Sequence, residues 1–270
     1  MLSIFCLGMG VRSYIEVRRT KLLIDKARSR QLSLSGIILA REILNSDKEK
    51  SIDHLKEDWA KFSSGLRKIN YSKPQRTGYL KLEIEDESSR FNIYNATQEK
   101  LVSFFESFEI DNAQEKTGRL LDYTDKDTDE RYPDSESKAK NNPLSIIEEM
   151  LLVGGISKAD FDKLKGVISL YSGEKININT ARQELLNALI DDSDSLDTVM
   201  RVRLGDDILD PEDDKYFEKE SDIPQNITSL FSIRSDIFRI ISTAEAGGVK
   251  EKNTCIFNRD SGKIIYWHEE

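Results

Sequence analysis

The stretch from Asn141 to Leu189 decides the fold, and it reads NNPLSIIEEMLLVGGISKADFDKLKGVISLYSGEKININTARQELLNAL. Apolar residues at helical spacing after Pro143 predict a first helix, which the pair Gly154–Gly155 ends. Ser157 and Asp160 have the spacing of a capping box, so they predict the start of a second helix. The stretch therefore predicts a small helical module.

The module continues through an extended piece, 175–179, into a third helix that we expect to open at Thr180. On both sides of the module the period of the apolar residues changes to two. Residues 77–95 predict a hairpin of two short strands, and residues 226–268 predict further strands separated by turn signals at 246–248 and 260–262. A sheet split in sequence by helices indicates an α+β fold: an antiparallel sheet with an inserted helical subdomain.

The N-terminal region predicts one long helix. Residues 12–44 contain no proline, and helix formers dominate, so the helix should run for about 40 residues, far above the globular mean of about 11–12. Its predicted amphipathic rhythm is carried by Ile15, Leu22, Leu23, Lys26, Leu32, Leu39 and Ile43. We therefore predict a spine helix over 1–45, a sheet domain from 46–95 and 225–270, and an inserted helical domain over 96–224.

Residues 1–11, MLSIFCLGMGV, are apolar but too few to span a bilayer, which takes about 20 residues. They lack both the basic region and the cleavage site of a secretory signal. We therefore expect the segment to be the end of a longer apolar helix whose upstream part is missing from this sequence.

Composition narrows the function classes. The chain of 270 residues has a net charge of −9, which disfavours broad nucleic-acid binding. Cys6 and Cys255 form neither a disulfide framework nor a metal set. His54 and His268 lie far apart in sequence, and no nucleotide-binding or hydrolase motif occurs, so we expect a protein that is not an enzyme.

One acidic stretch predicts a metal site. Residues 122–136 hold seven acidic and two basic residues, a net charge of −5. Asp125, Asp127, Asp129 and Glu136 stand at positions 1, 3, 5 and 12 of an EF-hand spacing, although Glu130 replaces the glycine of position 6. The spacing is compatible with a calcium loop of another shape, and also with a solvated acidic surface.

Five short motifs follow one another in an order that resembles the K-type minor pseudopilins of type II secretion systems. They are D-H-L-x-E-x-W-A at 53–60, R-F-N-x-x-N at 90–95, L-x-D-Y-x-D-x-D at 120–127, N-x-P-L at 141–144 and I-N-I-N-T-A at 176–181. The resemblance implies a type IV pilin-like fold, in which the long helix packs on the antiparallel sheet. It also implies calcium in the acidic loop, with Asp125, Asp127 and Glu136 as the first candidate ligands and Asp122 and Asp129 next.

The resemblance further implies a role and a location. Such a subunit would cap the tip of the secretion pseudopilus beside the I- and J-type minor pseudopilins, help to start the filament, and meet exported proteins. Its N-terminal apolar segment would lie in the inner membrane, and its globular part would lie in the periplasm. Nucleic acid is not an expected partner.

The helical module also resembles the helix-hairpin-helix module of DNA-binding proteins. Gly154–Gly155 could form the phosphate-binding hairpin, and Lys158, Lys163 and Lys165 lie close by in sequence. The flanking acidic segments argue against DNA, because residues 191–222 alone carry a net charge of −9. DNA binding is thus the alternative function.

Overall fold

The computed structural model describes residues 2–62, 66–70, 77–205 and 214–270, which belong to two compact units. We call the first the sheet unit, and it consists of Met1–Lys48, Lys56–Glu85 and Phe238–Glu270. We call the second the helical unit, and it consists of Glu49–Leu55 and Asp86–Ile237. In sequence, most of the helical unit is thus an insertion between two parts of the sheet unit.

Seven α-helices and nine strands occur along the described residues. The helices are α1 Leu2–Asn45, α2 Asp58–Phe62, α3 Gln98–Ser107, α4 Ala113–Thr124, α5 Lys158–Leu164, α6 Gln183–Leu189 and α7 Ser193–Leu204. The strands are β1 Leu66–Asn70, β2 Thr77–Asp86, β3 Phe91–Asn92, β4 Ile168–Ser169, β5 Ile176–Asn177, β6 Phe231–Ser232, β7 Ile237–Ala246, β8 Val249–Asn258 and β9 Lys263–Glu269. Short 3-10 helices cover Glu87–Ser89, Glu136–Lys138, Ile147–Leu152 and Glu220–Asp222.

The sheet unit contains one five-stranded sheet with the order β1-β2-β7-β8-β9. The turns that join its last three strands use glycines at positive φ: Gly247 at +60°, Gly248 at +83° and Gly262 at +68°. L side chains rarely adopt this conformation, so these glycines fix where the hairpins turn. The predicted long helix, antiparallel sheet and inserted helices are confirmed.

Helix α1 packs on the sheet through small and polar residues together with a few large apolar ones. Its buried side chains are those of Asp25, Ser29, Leu32, Ser33, Ile37, Ala40 and Leu44. The hydroxyl of Ser29 donates to the carbonyl of Val249 at 2.6 Å, and the hydroxyl of Ser33 donates to the carbonyl of Ser242 at 2.7 Å. Small side chains therefore let the helix lie close enough to the strands for direct hydrogen bonds.

The predicted apolar face of α1 is wrong in part. Leu32 is buried as expected, but Leu22 and Leu23 are each 60% exposed and Leu39 is 41% exposed. All residues from 6 to 24 are exposed. Among the described residues, no helix combines the length and the apolar character that crossing a bilayer requires.

The predicted hairpin over 77–95 is also wrong. β3 does not return along β2 but pairs in parallel with β4, with Phe91 opposite Ile168. A 3-10 turn redirects the chain, and the side chain of Asp86 caps it by accepting from the Ser88 N–H at 2.8 Å. The buried Glu87 then accepts from Ser169 at 2.7 Å, which joins the turn to the distant β4.

Within the helical unit, local signals located some helices and missed others. The capping box of Ser157 and Asp160 is formed, and α5 follows it as predicted. The segment after Pro143 forms a 3-10 helix over Ile147–Leu152 rather than an α-helix, and α6 starts at Gln183 instead of Thr180. No cap or stop signal identified in the sequence marks the bounds of α4 and α7, which overlap the acidic stretches 122–136 and 191–222.

Gly36 tests the close approach of α1 to the sheet. In Gly36→Ala the new Cβ would lie 2.2 Å from Oγ of Ser242 and 3.0 Å from Cδ1 of Leu80. Overpacking should cost about 1–3 kcal/mol, more than the gain of about 1 kcal/mol from the helix propensity of alanine. We expect urea unfolding followed by circular dichroism to show a lower free energy of unfolding.

The matched control is Gly10→Ala, where a Cβ would have nothing within 4 Å. That substitution should leave stability unchanged or raise it by up to about 1 kcal/mol. Equal effects of the two substitutions would contradict the close packing at Gly36.

Candidate metal site

The C-terminal end of helix α4 positions the predicted metal loop. Asp122 lies in its last turn and is fully buried. Asp125 follows the helix, and its backbone N–H donates to the carbonyl of Leu121 at 2.9 Å. The end of the helix thus fixes the direction in which the acidic chain leaves it.

Asp122 organises the loop from inside. Its Oδ2 accepts from the backbone N–H of Arg131 at 2.8 Å and from the hydroxyl of Ser135, and its Oδ1 accepts from Nη1 of Arg131 at 2.6 Å. Desolvation acts to raise the pKa of Asp122, but the hydrogen bonds from Ser135 and Arg131 outweigh it, so that this pKa lies below its ordinary value. Asp122 is therefore ionised and holds residues 131–135 against α4.

Three predicted ligands come together beside Asp122, which we call the anchor of the loop. One carboxylate oxygen each of Asp125, Asp127 and Glu136 lies within 4.8 Å of the other two. Oδ1 of Asp125 and both carboxylate oxygens of Glu136 are buried and have no hydrogen-bond partner among the described residues. The cluster is therefore a concentration of negative charge that the protein does not compensate fully.

The electrostatics of Glu136 reflect this arrangement. Desolvation raises its pKa above the ordinary value, and the charges of Asp122, Asp125 and Asp127 raise it further. A positive ion at the same place would act in the opposite sense, because it favours the ionised carboxylate.

The other two predicted ligands stand elsewhere. Asp122 is engaged by Arg131 and Ser135, and it is not part of the three-carboxylate group. Asp129 is exposed, and its backbone N–H donates to Oδ1 of Asp127 at 3.0 Å. Arg131 contacts Asp122 and Asp125 together, so it compensates the side of Asp125 that faces the anchor.

The residues present fit a hard divalent cation. Calcium takes six to eight oxygen ligands, and it prefers carboxylates. Asp125, Asp127 and Glu136 would hold it, and the unpartnered oxygens of Asp125 and Glu136 are the donors that such an ion would satisfy.

The lysines of the predicted DNA hairpin are engaged within the protein. Lys158 and Lys165 both contact Oδ1 of Asp162, at 2.8 and 2.6 Å. Lys163 donates to the carbonyls of Phe108 and Glu109, at 3.2 and 2.7 Å. These contacts reduce the positive charge that a phosphate-binding hairpin needs, so the geometry gives DNA binding no support.

The two histidines have structural surroundings. The ring of His54 stacks on Tyr216 with 3.6 Å between the centroids. His268 is exposed on β9, with Nε2 at 3.4 Å from Oε1 of Glu270. Neither contact forms a nucleophile and base pair.

Comparison with known proteins identifies the fold. No protein-family model matches the sequence, and no curated protein sequence matches it. A chain in the solved GspK-GspI-GspJ complex of the type 2 secretion system from enterotoxigenic Escherichia coli matches with a TM-score of 0.65. The fold is that of a GspK-like minor pseudopilin. The match covers 96% of this chain and 99% of that chain at 19% sequence identity.

Within this GspK-like fold, the sequence analysis found the three clustered carboxylates but missed the residues that position them. Arg131 and Ser135 carry that function through their contacts with Asp122. A signal for Arg131 was present, because it is one of only two basic residues in the acidic stretch 122–136. A basic residue among many acids is a candidate for bridging two of them.

Asp122→Asn tests the anchor. Loss of hydrogen bonds to a buried charge should lower the free energy of unfolding at pH 7 by about 2–3 kcal/mol. Since the folded-state pKa of Asp122 is lowered, its contribution is present above pH of about 4 and is lost as the pH falls further. We therefore expect urea unfolding in EDTA to show a difference from the wild type that narrows at acidic pH.

Asp127→Asn is the control for this experiment, because Asp127 is exposed and belongs to the same loop. This substitution should lower the free energy of unfolding by less than about 0.5 kcal/mol. If both substitutions cost the same at pH 7, Asp122 does not anchor the loop.

Proposed function

We propose that this chain is a minor pseudopilin of a type II secretion system, a structural subunit with no catalytic role. One observation carries the proposal: the fold likeness to a chain of the GspK-GspI-GspJ complex extends over nearly the full length of both chains. The order of the five sequence motifs, which is independent of the coordinates, supports the same assignment.

The exposed part of α1 gives this role a physical reason. All residues from 6 to 24 are exposed within the described chain, and they include Leu7, Val11, Ile15 and Leu22. Apolar side chains on a helix that extends beyond its own sheet gain free energy when other helices or lipid cover them. In the proposed role, a bilayer surrounds the apolar start of this helix, up to Val11, and neighbouring subunits cover the exposed apolar side chains that follow it.

The proposed partners are the I- and J-type minor pseudopilins, which contact this chain through α1 and the sheet. The subunit sits at the tip of the pseudopilus, and the helical unit prevents further subunits from stacking above it. The inner membrane holds the N-terminal segment, and the globular part lies in the periplasm, where it meets exported proteins.

Ile38 and Leu39 test the partner surface, since they are 58% and 41% exposed on α1. We expect Ile38→Asp combined with Leu39→Asp to weaken the complex with the I- and J-type proteins of the same organism at least tenfold, because buried apolar area is replaced by charge. The proteins are co-expressed, extracted in detergent and purified through a tag on this chain. Size-exclusion chromatography then measures the complex.

Leu152→Asp is the control, because Leu152 is 65% exposed in the helical unit. This variant should retain the complex, and all variants should melt within a few degrees of the wild type. Absence of any complex with the wild-type chain would contradict the proposed role, and retention by the α1 variant would contradict the proposed surface.

We further propose that the loop cluster binds calcium through Asp125, Asp127 and Glu136. The supporting observation is that three carboxylates converge while oxygens of Asp125 and Glu136 lack partners in the part of the chain that the structure describes. The ion would remove the repulsion among these groups and stabilise the loop that positions them. Magnesium requires tighter octahedral geometry, so it should stabilise the protein less.

Thermal melting tests the calcium proposal. Calcium at one hundred times its dissociation constant should add about 2.7 kcal/mol, and it should therefore raise the melting temperature by a few degrees above the value in EDTA. Asp125→Asn combined with Asp127→Asn should abolish that rise. Glu218→Gln combined with Asp222→Asn changes two exposed acids outside the loop and should keep it. Equal melting temperatures of the wild type in EDTA and in millimolar calcium would exclude the site.

A further inference from the structure

The helical unit contains an open cleft that neither the metal loop nor the filament role uses. It lies among α3, β3, β5 and α6, and its volume is about 300 Å³. Its apolar wall is formed by Phe91, Phe104, Ile176, Leu189 and Leu230. All of its lining residues belong to the helical unit, so the cleft is complete within that unit.

The aromatic part of the wall is a pair of stacked rings. Phe91 and Phe104 stack with 4.3 Å between their ring centroids and 15° between their planes. Phe104 is buried and Phe91 is partly exposed, so Phe91 offers its remaining ring surface to the cleft. Such a surface favours an aromatic or aliphatic group as its occupant.

The rim carries an excess of negative charge. Glu99, Glu174 and Asp191 line the cleft together with one basic residue, Lys100. Within the described part of the chain, Glu174 and Asp191 form no ion pair. Exposed carboxylates that are not neutralised by the protein favour a cation at the rim.

Polar groups between rim and wall remain available for hydrogen bonds. The side chains of Asn95 and Ser103 line the cleft and are exposed, and they have no hydrogen-bond partner among the described residues. An amide and a hydroxyl in these positions match the N–H and C=O groups of an extended backbone. Asn92, by contrast, already donates to Ser172 and accepts from the Tyr94 N–H at 2.9 Å.

We propose that this cleft binds a short extended segment of another protein that carries an aromatic or aliphatic side chain followed by Lys or Arg. The apolar side chain lies against Phe91 and Leu189, and the basic side chain lies at the rim near Glu174 and Asp191. A volume of about 300 Å³ accommodates one or two side chains of such a segment. The proposal goes beyond the filament role and does not depend on it.

Fluorescence anisotropy on the full-length protein tests the cleft. The labelled probe is the peptide Ala-Phe-Lys-Ala with blocked ends, and the comparison peptides are Ala-Phe-Glu-Ala and Ala-Gly-Lys-Ala with the same label. We expect the first peptide to bind at least about tenfold more tightly than either of the others, because only it satisfies wall and rim together. Its affinity should fall as salt rises, since the rim is exposed.

Three variants locate the binding. The rim variant combines Glu174→Lys with Asp191→Lys. It should bind the Phe-Lys peptide about tenfold more weakly and prefer it less over the Phe-Glu peptide. Ala188→Trp places a large ring in the cleft and should weaken every peptide that binds there. Glu218→Lys reverses one exposed acid outside the cleft and should leave affinity unchanged.

The outcomes separate clearly. A preference for the Phe-Lys peptide that the rim variant and Ala188→Trp remove, with unchanged melting temperatures, would support the proposal. Absence of binding, equal affinity for the three peptides, or unchanged affinity in both variants would overturn it. None of these results bears on the complex with the I- and J-type proteins, which is measured separately.

Discussion

The carboxylate of Asp86 joins the two ends of the long segment of the helical unit. Its Oδ2 accepts from the hydroxyl of Ser235 at 2.5 Å, from the amide of Asn177 at 3.2 Å and from the hydroxyl of Thr180, while Oδ1 accepts from the Ser88 N–H at 2.8 Å. Asp86 begins this segment, and Ser235 lies two residues before its end. Burial raises the pKa of Asp86 to about 6, so that at neutral pH these donors must compensate a desolvated charge.

Residues 176–179, the Ile-Asn-Ile-Asn run, make buried contacts that include the hydrogen bond of Asn177 to Asp86. All four residues from 176 to 179 are buried, so the alternation does not separate a dry face from a wet one. Asn177 donates to Oγ of Ser235 at 2.7 Å, and Asn179 donates to the carbonyl of Phe217 at 3.0 Å and accepts from its N–H at 2.8 Å. The isoleucines supply apolar packing, and the asparagines join distant segments through hydrogen bonds. These contacts account for the presence of the motif without a nucleic-acid ligand.

Sequence reasoning succeeded where the deciding interactions are local. The capping box of Ser157 and the glycine turns at 247–248 and 262 depend on neighbours in the chain, and the clustered carboxylates lie within twelve positions of one another. It failed where the partner is distant. The pairing of β3 with β4 depends on Glu87 and Ser169, 82 residues apart. The buried face of α1 was missed because the helix lies close to the sheet, where small side chains such as Ser33 fit. Apolar periodicity does not count serine, so it does not detect such a face.

The acidic residues of this chain fall into two groups, according to how many hydrogen-bond donors contact each carboxylate. Asp86 and Asp122 each accept several hydrogen bonds and are buried, so they join segments and are not available to an outside cation. Glu136 and Glu174 differ, because no hydrogen bond or ion pair within the described residues compensates their carboxylates. Burial of the Glu136 oxygens costs free energy that a bound cation would recover, whereas the exposed Glu174 stays hydrated and attracts a cation only by its charge. We therefore propose that Glu136 and Glu174 are among the acids through which this protein would meet calcium and basic partners.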